Sequence, residues 1–246
     1  MKIISVKKGF TSDHSSTSYE FLAVDKVLSK KDRQAVASLS SRANPTAREV
    51  SFIYHADGYD IPGGWEALME KYYDVMYSES YDWWTFAIAF NSSKGQVAEL
   101  KKYEFDGEDD CGINVHEQDG RTIIEINCRL DSYYIDDPYD KYDDYDDYDD
   151  DDDCEEDEGE TESLFVAENE LLNLLVKIRE QLMQGDYRAL YAVWERYGYL
   201  TDEDEENDDD DDDDDEKDEY ESIIPPKPPE RSQGKSIIEQ FSNMLE

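Results

Sequence analysis

Two acidic tracts of this chain cannot build a hydrophobic core, and they separate the segments that can. Residues 131–163 carry 19 acidic side chains against 1 basic, and residues 201–222 carry 17 against 1. Residues 1–130 carry 21 acidic and 15 basic side chains, an ordinary balance for a folded domain. Neither tract has enough apolar content to offset the entropy lost on ordering, so both are predicted to be disordered linkers.

The formal charge of −41 narrows the functions open to a chain of 246 residues. A protein this acidic does not bind phosphate backbones through a basic groove, so direct nucleic-acid binding is not expected. The N-terminal segment MKIISVKKGF lacks the apolar core of a signal peptide, and the strongly apolar stretch at residues 83–90 is far shorter than the about 20 residues of a membrane helix. Three cysteines without a CxxC motif do not make a secreted disulfide scaffold. The sequence predicts a cytoplasmic protein without a membrane segment.

Composition divides the chain into five segments. They are a body over residues 1–130, a Tyr/Asp-rich linker over 131–163, a helical hairpin over 164–200, a poly-acidic linker over 201–222, and a proline-rich spacer with a terminal helix over 223–246. In the body, apolar patterns predict strands at residues 2–7, 18–24, 50–54 and 83–90. Apolar spacing and capping residues predict helices at residues 29–40, 65–76 and 97–103. The fold class is therefore α+β, with a small mixed or antiparallel sheet.

The dipeptide Asp119-Gly120 is typical of a two-residue turn, which determines the register of a β-hairpin. In that register Cys111 lies opposite Cys128 on the apolar face, and His116 lies on the other face. The cysteine pair is close enough for a disulfide, although two buried thiols are the expected state in a reducing compartment. Because His116 points away from the cysteines, no zinc site is expected, and no other metal site or cofactor is predicted.

One loop brings together an acid, a base and hydroxyl groups: Asp13, His14, Ser15 and Ser16. Between two predicted strands, such a loop can present a nucleophile or bind a small anion. The alternative interpretation is a structural turn, because these side chains usually bond to their own backbone and catalytic triads usually assemble from distant positions. No GxxxxGK, GxGxxG, HExxH or GxSxG motif supports an enzyme.

Two segments resemble uncharacterised bacterial proteins. The N-terminal GFTSDHSSTS, followed by a strand, resembles bacterial and phage proteins in which a strand, an aromatic residue and an Asn/Asp-x-Ser-Ser loop recur. The C-terminal part resembles another such family through Gly185, Asp186, Arg188, Leu190, Tyr191, Trp194 and the prolines within residues 225–229. Neither resemblance carries a known activity. Together they imply an accessory protein of a bacterial multi-gene system.

The acidic tracts have three alternative roles: solubilising linkers, docking segments for a basic partner, or loose sites for Ca²⁺ or Mg²⁺. A tight calcium loop needs a DxDxDG pattern, which the sequence lacks. An extended run of Asp has a charge spacing close to the about 3.4 Å between phosphates of one DNA strand, so it resembles a nucleic-acid mimic. Candidate partner-binding residues are Asp208, Asp211 and Asp215, with Tyr142 and Tyr145 of the Tyr-Asp-Asp repeat as stacking groups.

Residues 236–245 have the pattern of a short amphipathic helix. Ser236 and Glu239 predict a capping box. The apolar stripe, also predicted to bind a partner, consists of Ile237, Ile238, Phe241, Met244 and Leu245. A helix this short is not stable alone in water. It is predicted to dock in a groove of a partner or of the chain's own helical hairpin, the alternative being a frayed tail.

These features favour a non-enzymatic adaptor or regulatory subunit that binds a basic, nucleic-acid-handling partner through its acidic tracts and terminal helix. The alternative hypothesis makes the N-terminal body an enzyme or nucleotide-binding domain with a site near His14, regulated by the acidic tail. An enclosed polar pocket at His14 would favour the enzyme. An apolar patch on the terminal helices would favour the adaptor.

Overall fold

An antiparallel sheet forms the centre of the protein. The structure is a computed structural model that describes residues 17–54, 61–80, 83–107, 110–118, 120–130, 169–198 and 224–245. The strands are β1 (Thr17–Leu22), β2 (Glu49–Tyr54), β3 (Val75–Ser80), β4 (Trp83–Asn91), β5 (Phe105–Asp106), β6 (Gly112–Gln118) and β7 (Arg121–Cys128). They form one seven-stranded sheet in the order β2-β1-β3-β4-β7-β6-β5. With the helices described next, this sheet confirms the predicted α+β class.

Three of the described α-helices begin at a residue whose side chain caps free N–H groups of the first turn. The helices are α1 (Lys30–Ala37), α2 (Glu66–Lys71), α3 (Lys94–Leu100), which continues into a 3₁₀ turn (Lys101–Tyr103), α4 (Glu170–Met183), α5 (Arg188–Tyr197) and α6 (Lys235–Ser242). Ser29 and Asp32 form the capping box of α1, in which each side chain bonds the other residue's backbone N–H. Asn169 caps α4 by accepting from the first N–H groups of that helix.

Helices cover both faces of the sheet. On one face, Val36 of α1 and Leu68 of α2 share a core with Phe21 and Phe52. On the other face, α4, α5 and α6 pack over a larger core that includes Phe86. β4 is buried on both sides over most of its length, which explains why WWTFAIAF is apolar except for Thr85 rather than alternating.

The hairpin register predicted from Asp119-Gly120 is confirmed. Gln118 pairs with Arg121, and the ladder continues to the pair of Gly112 and Asn127. Gly120 has φ +80°, a conformation that glycine adopts without strain. Beyond the ladder, Cys111 and Cys128 are buried on the core face and are not joined by a disulfide. Burial raises the pKa of the Cys128 thiol well above its ordinary value, and neighbouring Cys111 raises it further.

The helix predicted over residues 65–76 ends early, and a strand occupies the rest of that range. α2 ends at Lys71, and β3 begins at Val75. Tyr73 and Met76 are buried, as the helical spacing required. A strand buries them equally well here, because β3 lies between β1 and β4 with helices on both of its faces. The spacing fits both structures, and only the pairing of β3 with its neighbours decides between them.

The C-terminal helices pack on the sheet. α4 contacts β3 and β4, α5 contacts β6, and α6 lies against both α4 and α5. Their apolar residues belong to the same core as one face of the sheet.

Several predictions concern residues outside the described ranges. They are the strand at residues 2–7, the third cysteine, Cys154, and the two acidic tracts, residues 131–163 and 201–222. They stay predictions from the sequence.

Candidate functional site

The predicted ligand loop and half of the predicted partner-binding residues lie outside the described ranges. They are Asp13, His14, Ser15, Ser16, Tyr142, Tyr145, Asp208, Asp211 and Asp215. Their roles, including the alternative of an enzyme site near His14, stay predictions. The described chain begins at Thr17, next to that loop, where Thr17 Oγ1 and Ser80 Oγ are hydrogen-bonded at 3.0 Å.

The other predicted partner-binding residues lie on or just after α6, which packs on the chain's own core. Phe241 and Met244 are fully buried, and Leu245 forms an isolated β-bridge with Leu130. The remaining two, Ile237 and Ile238, are partly buried against the same core. The sequence left two locations open for this helix, and α6 lies on the chain's own helices and sheet. The buried members of the stripe are therefore covered rather than presented to a partner.

The start of α6 differs from the predicted capping box at Ser236. Its N-cap is Gly234, at φ +70° and without a side-chain hydrogen bond to the helix end. The positive φ of Gly234 favours glycine, and a Cβ atom there would lie 2.1 Å from Gln181 Nε2, so the end of that side chain would have to move. Gln181 Nε2 donates to the Gly234 carbonyl oxygen at 3.3 Å, which joins α4 to the beginning of α6.

The two described ends that lead into the acidic tracts, at Leu130 and Gly198, lie near each other at one end of the sheet. Arg129, one residue before the described chain ends at Leu130, stacks its guanidinium 4.9 Å from the ring centre of Trp83 at the start of β4. Tyr197 of α5, next to the end at Gly198, bonds the backbone of Arg129 through its hydroxyl. Both acidic tracts therefore leave the described part of the chain from neighbouring positions.

Asp186 and Arg188, which belong to the C-terminal resemblance, form an ion pair that holds the segment before α6. Arg188 Nη2 donates to Asp186 Oδ2 at 2.7 Å, and Nε donates to Oδ1 at 2.9 Å. The same guanidinium donates to the carbonyl oxygens of Arg231 at 2.6 Å and Gln233 at 2.7 Å. This bidentate pair, which we call the Asp186–Arg188 clamp, attaches the chain after the second acidic tract to α5.

The clamp predicts a pH dependence of stability. Burial raises the pKa of Asp186, but the hydrogen bonds from Arg188 and the charges of Arg188 and Arg231 outweigh it, so the pKa lies below its ordinary value of 3.8. A carboxyl group with a lowered folded-state pKa stabilises the fold above its unfolded pKa, and this contribution disappears as the pH falls through the folded-state pKa. Asp186→Asn should therefore be less stable than the wild type at neutral pH and approach it below about pH 4.

Urea unfolding of both proteins at a series of pH values measures this difference. Arg188→Gln should remove the same pH dependence, because it removes the partner that lowers the pKa of Asp186. A difference between Asp186→Asn and the wild type that is constant from neutral to acidic pH would contradict the assignment.

A polar cleft of about 130 Å³ lies between the end of α4, the clamp and the start of α6. The residues that line it are Lys177, Glu180, Gln181, Gln184, Asp186, Arg231, Gln233, Gly234 and Ile237. Both signs of charge are present, and Gln181 is nearly fully buried, with 8% of its surface exposed. The arrangement has the donors and acceptors of a small-molecule site.

An ion cluster lies at the end of the strands opposite Trp83, and all of its members except the half-exposed Asp25 are largely buried. Its members are Asp25, Asp74, Arg121 and Arg179, and we call it the buried ion cluster. Arg179 of α4 has a side chain only 3% exposed, donates through Nε to the Ala89 carbonyl oxygen at 2.8 Å, and pairs with Asp25 and Asp74. Arg121 of β7 bonds Asp74 Oδ1 at 2.7 Å. The donors and acceptors bond one another, so the cluster links α4 to the sheet and has a structural role.

Sequence reasoning missed both the cleft and the buried ion cluster. A signal for the cluster was available: Arg179 lies four residues after Leu175 and seven after Leu172, on the apolar stripe of α4. A charge on such a stripe indicates a buried partner. The cleft has no comparable signal, because Gln181 and Arg231 are 50 positions apart and meet only after α6 docks.

Among the described residues, no group of His, Cys, Asp and Glu side chains is arranged to hold a metal ion. Within the same residues, no helix has the length and apolar character needed to span a membrane. Comparison with family models, curated protein sequences and solved structures gives no match.

Proposed function

We propose that the protein is a non-enzymatic adaptor or regulatory subunit of a cytoplasmic bacterial system, and that its acidic tracts bind a basic surface of a protein partner. The observation that carries the proposal is the separation of charge. The described residues contain 19 basic and 20 acidic side chains, so they are nearly neutral, whereas the two tracts supply 34 of the 41 net negative charges.

This separation favours electrostatic recruitment over a general need for solubility. A nearly neutral body exerts little long-range force on a partner, so the tracts dominate the field of the whole protein. The exits of both tracts lie close together, at Leu130 and at Gly198, which are connected through Arg129 and Tyr197. Two tracts that start side by side can act on one partner surface, which raises the local charge that the partner encounters.

The role of α6 in this proposal is limited by its position. Phe241 and Met244 are part of the protein's own core, so partner binding through the apolar stripe would require α6 to detach. The proposal therefore assigns recognition to the acidic side chains, Asp208, Asp211 and Asp215 among them, and assigns α6 to the fold.

Replacing residues 208–215 by serine tests this proposal. The variant loses eight negative charges while it keeps the length of the tract. Its association rate with an immobilised lysine homopolymer, measured by surface plasmon resonance, should fall at low salt, because charges steer the encounter. The difference from the wild type should shrink as the salt concentration rises and the screening length falls to about 8 Å.

A matched control replaces the same residues by glutamate, which keeps both charge and length and should associate at the wild-type rate. Native protein purified with its partner from cells should lose that partner in the serine variant and keep it in the glutamate variant. Equal association rates for the wild type and the serine variant at low salt would contradict the proposal and show that the tract acts only as a spacer.

A further inference from the structure

We propose that the polar cleft binds a small zwitterion of the amino-acid class, with the ligand's carboxylate at Arg231 and its ammonium group between Glu180 and Gln181. The inference is independent of the acidic tracts and of the proposed adaptor role. It depends on one unpartnered buried acceptor, two oppositely charged groups and the size of the cleft.

The buried acceptor is Gln181 Oε1, which has no hydrogen-bond partner among the described residues. The amide orientation follows from its other end, because Nε2 donates to the Gly234 carbonyl oxygen, and the reverse orientation would set two acceptors against each other. An unpartnered oxygen in a residue only 8% exposed is costly to the fold. Oε1 itself has almost no exposed surface, so binding requires the amide to turn until Oε1 meets an N–H donor in the cleft. The bond that holds the amide, from Nε2 to Gly234, is long, at 3.3 Å.

Some charged groups of the cleft already have an ion-pair partner, and others are available to bind a ligand. Asp186 is neutralised by the bidentate bonds from Arg188. Glu180 has no side-chain hydrogen bond or ion pair within the described ranges, and the Arg231 guanidinium makes one long bond there, 3.4 Å to the Gly185 carbonyl oxygen. An ammonium group therefore complements Glu180 and Gln181 Oε1, and a carboxylate complements Arg231.

The volume of the cleft limits the ligand to a few heavy atoms. The cleft measures about 130 Å³. A cavity of about 150 Å³ accommodates benzene, which has six carbon atoms. Alanine and serine are of this size, and Ile237 provides an apolar wall against which a short side chain can pack.

Isothermal titration calorimetry on the full chain with L-alanine tests the proposal. Two further ligands each lack one charge: propionate has no ammonium group, and ethylamine has no carboxylate. L-alanine should bind with a measurable heat, and each half-ligand should bind at least about tenfold more weakly, because one charged hydrogen-bonding group is lost. L-alanine should also raise the thermal midpoint of unfolding, since a ligand that binds the folded state stabilises it.

Variants locate the binding to the cleft. Glu180→Gln and Arg231→Gln should each weaken L-alanine binding by about tenfold to a hundredfold. Gln181→Leu should weaken it as well, because the buried acceptor is removed. Glu195→Gln on α5 and Arg42→Gln after α1 are matched controls, since both residues are exposed and do not line the cleft, and they should bind like the wild type.

Three results would overturn the proposal. The first is no binding of L-alanine, L-serine or glycine to the wild type. The second is binding of propionate as tight as that of L-alanine, which would make the cleft a simple anion site. The third is unchanged binding to a folded Gln181→Leu variant, which would leave Oε1 as an unsatisfied group without a ligand.

Discussion

Asp74→Asn is expected to lower the free energy of unfolding by about 3–5 kcal/mol, the cost of removing one partner from a buried ion pair. The side chain of Asp74 is 6% exposed and bonds Arg121 at 2.7 Å, with Arg179 at 3.7 Å. Its second oxygen accepts from the backbone N–H groups of Val24 at 2.6 Å and Asp25 at 2.9 Å. An asparagine in this position turns one acceptor into a donor that faces other donors, and it leaves two guanidinium groups without their shared counter-charge.

Urea unfolding at neutral pH measures this loss. Glu99→Gln is the matched control: Glu99 pairs with Lys102 at 2.8 Å, but both side chains are about half exposed. An exposed pair contributes about 1 kcal/mol or less, so the control should change stability little. Similar losses for Asp74→Asn and Glu99→Gln would mean that the cluster is not buried in solution.

Phe241→Ala is the second large effect, with an expected loss of about 3–5 kcal/mol. Phe241 is fully buried, and its ring centre lies 6.2 Å from that of Phe86 in β4. The substitution opens a cavity between α6 and the sheet that neighbouring side chains fill only in part. Because α6 has 8 residues, it cannot remain helical once its docking is weakened.

Unfolding in urea, together with hydrogen exchange of the amides in α6, follows both parts of this expectation. Ile238→Ala is the matched control, because Ile238 belongs to the same helix but is only partly buried, and it should cost clearly less. A Phe241→Ala variant with the wild-type thermal midpoint would show that α6 does not occupy this position in solution. In that case, docking of α6 in a groove of a partner protein would be the next hypothesis to test.

Local chemistry was sufficient to predict the β6–β7 hairpin. Asp119-Gly120 determines the turn, and the turn determines each pair from Gln118 and Arg121 to Gly112 and Asn127. The same holds for the start of α1, where Ser29 and Asp32 bond each other's backbone three positions apart. Such features depend on residues close in sequence, so no knowledge of the rest of the fold is needed.

Tertiary contacts decided the features that the sequence left open or predicted incorrectly. Apart from Asp74, residues 72–76 carry aromatic or aliphatic side chains that suit a helix or a strand. β3 forms because β1 and β4 offer hydrogen-bonding partners on both sides. The cleft also depends on distant segments, since Gln181 meets Gly234 only when α6 is docked.

The sequence was enough to locate the charge and the apolar segments, and to predict that the stripe from Ile237 to Leu245 forms a stable helix only where another surface covers it. The tertiary structure alone decided that the covering surface is the chain's own sheet and helices, and that Asp74 and Arg179 meet from segments more than 100 positions apart. The reason is physical. An amphipathic pattern states that a surface will be buried but not against which partner, and burying a charge is favourable only after the fold has brought its counter-charges to it.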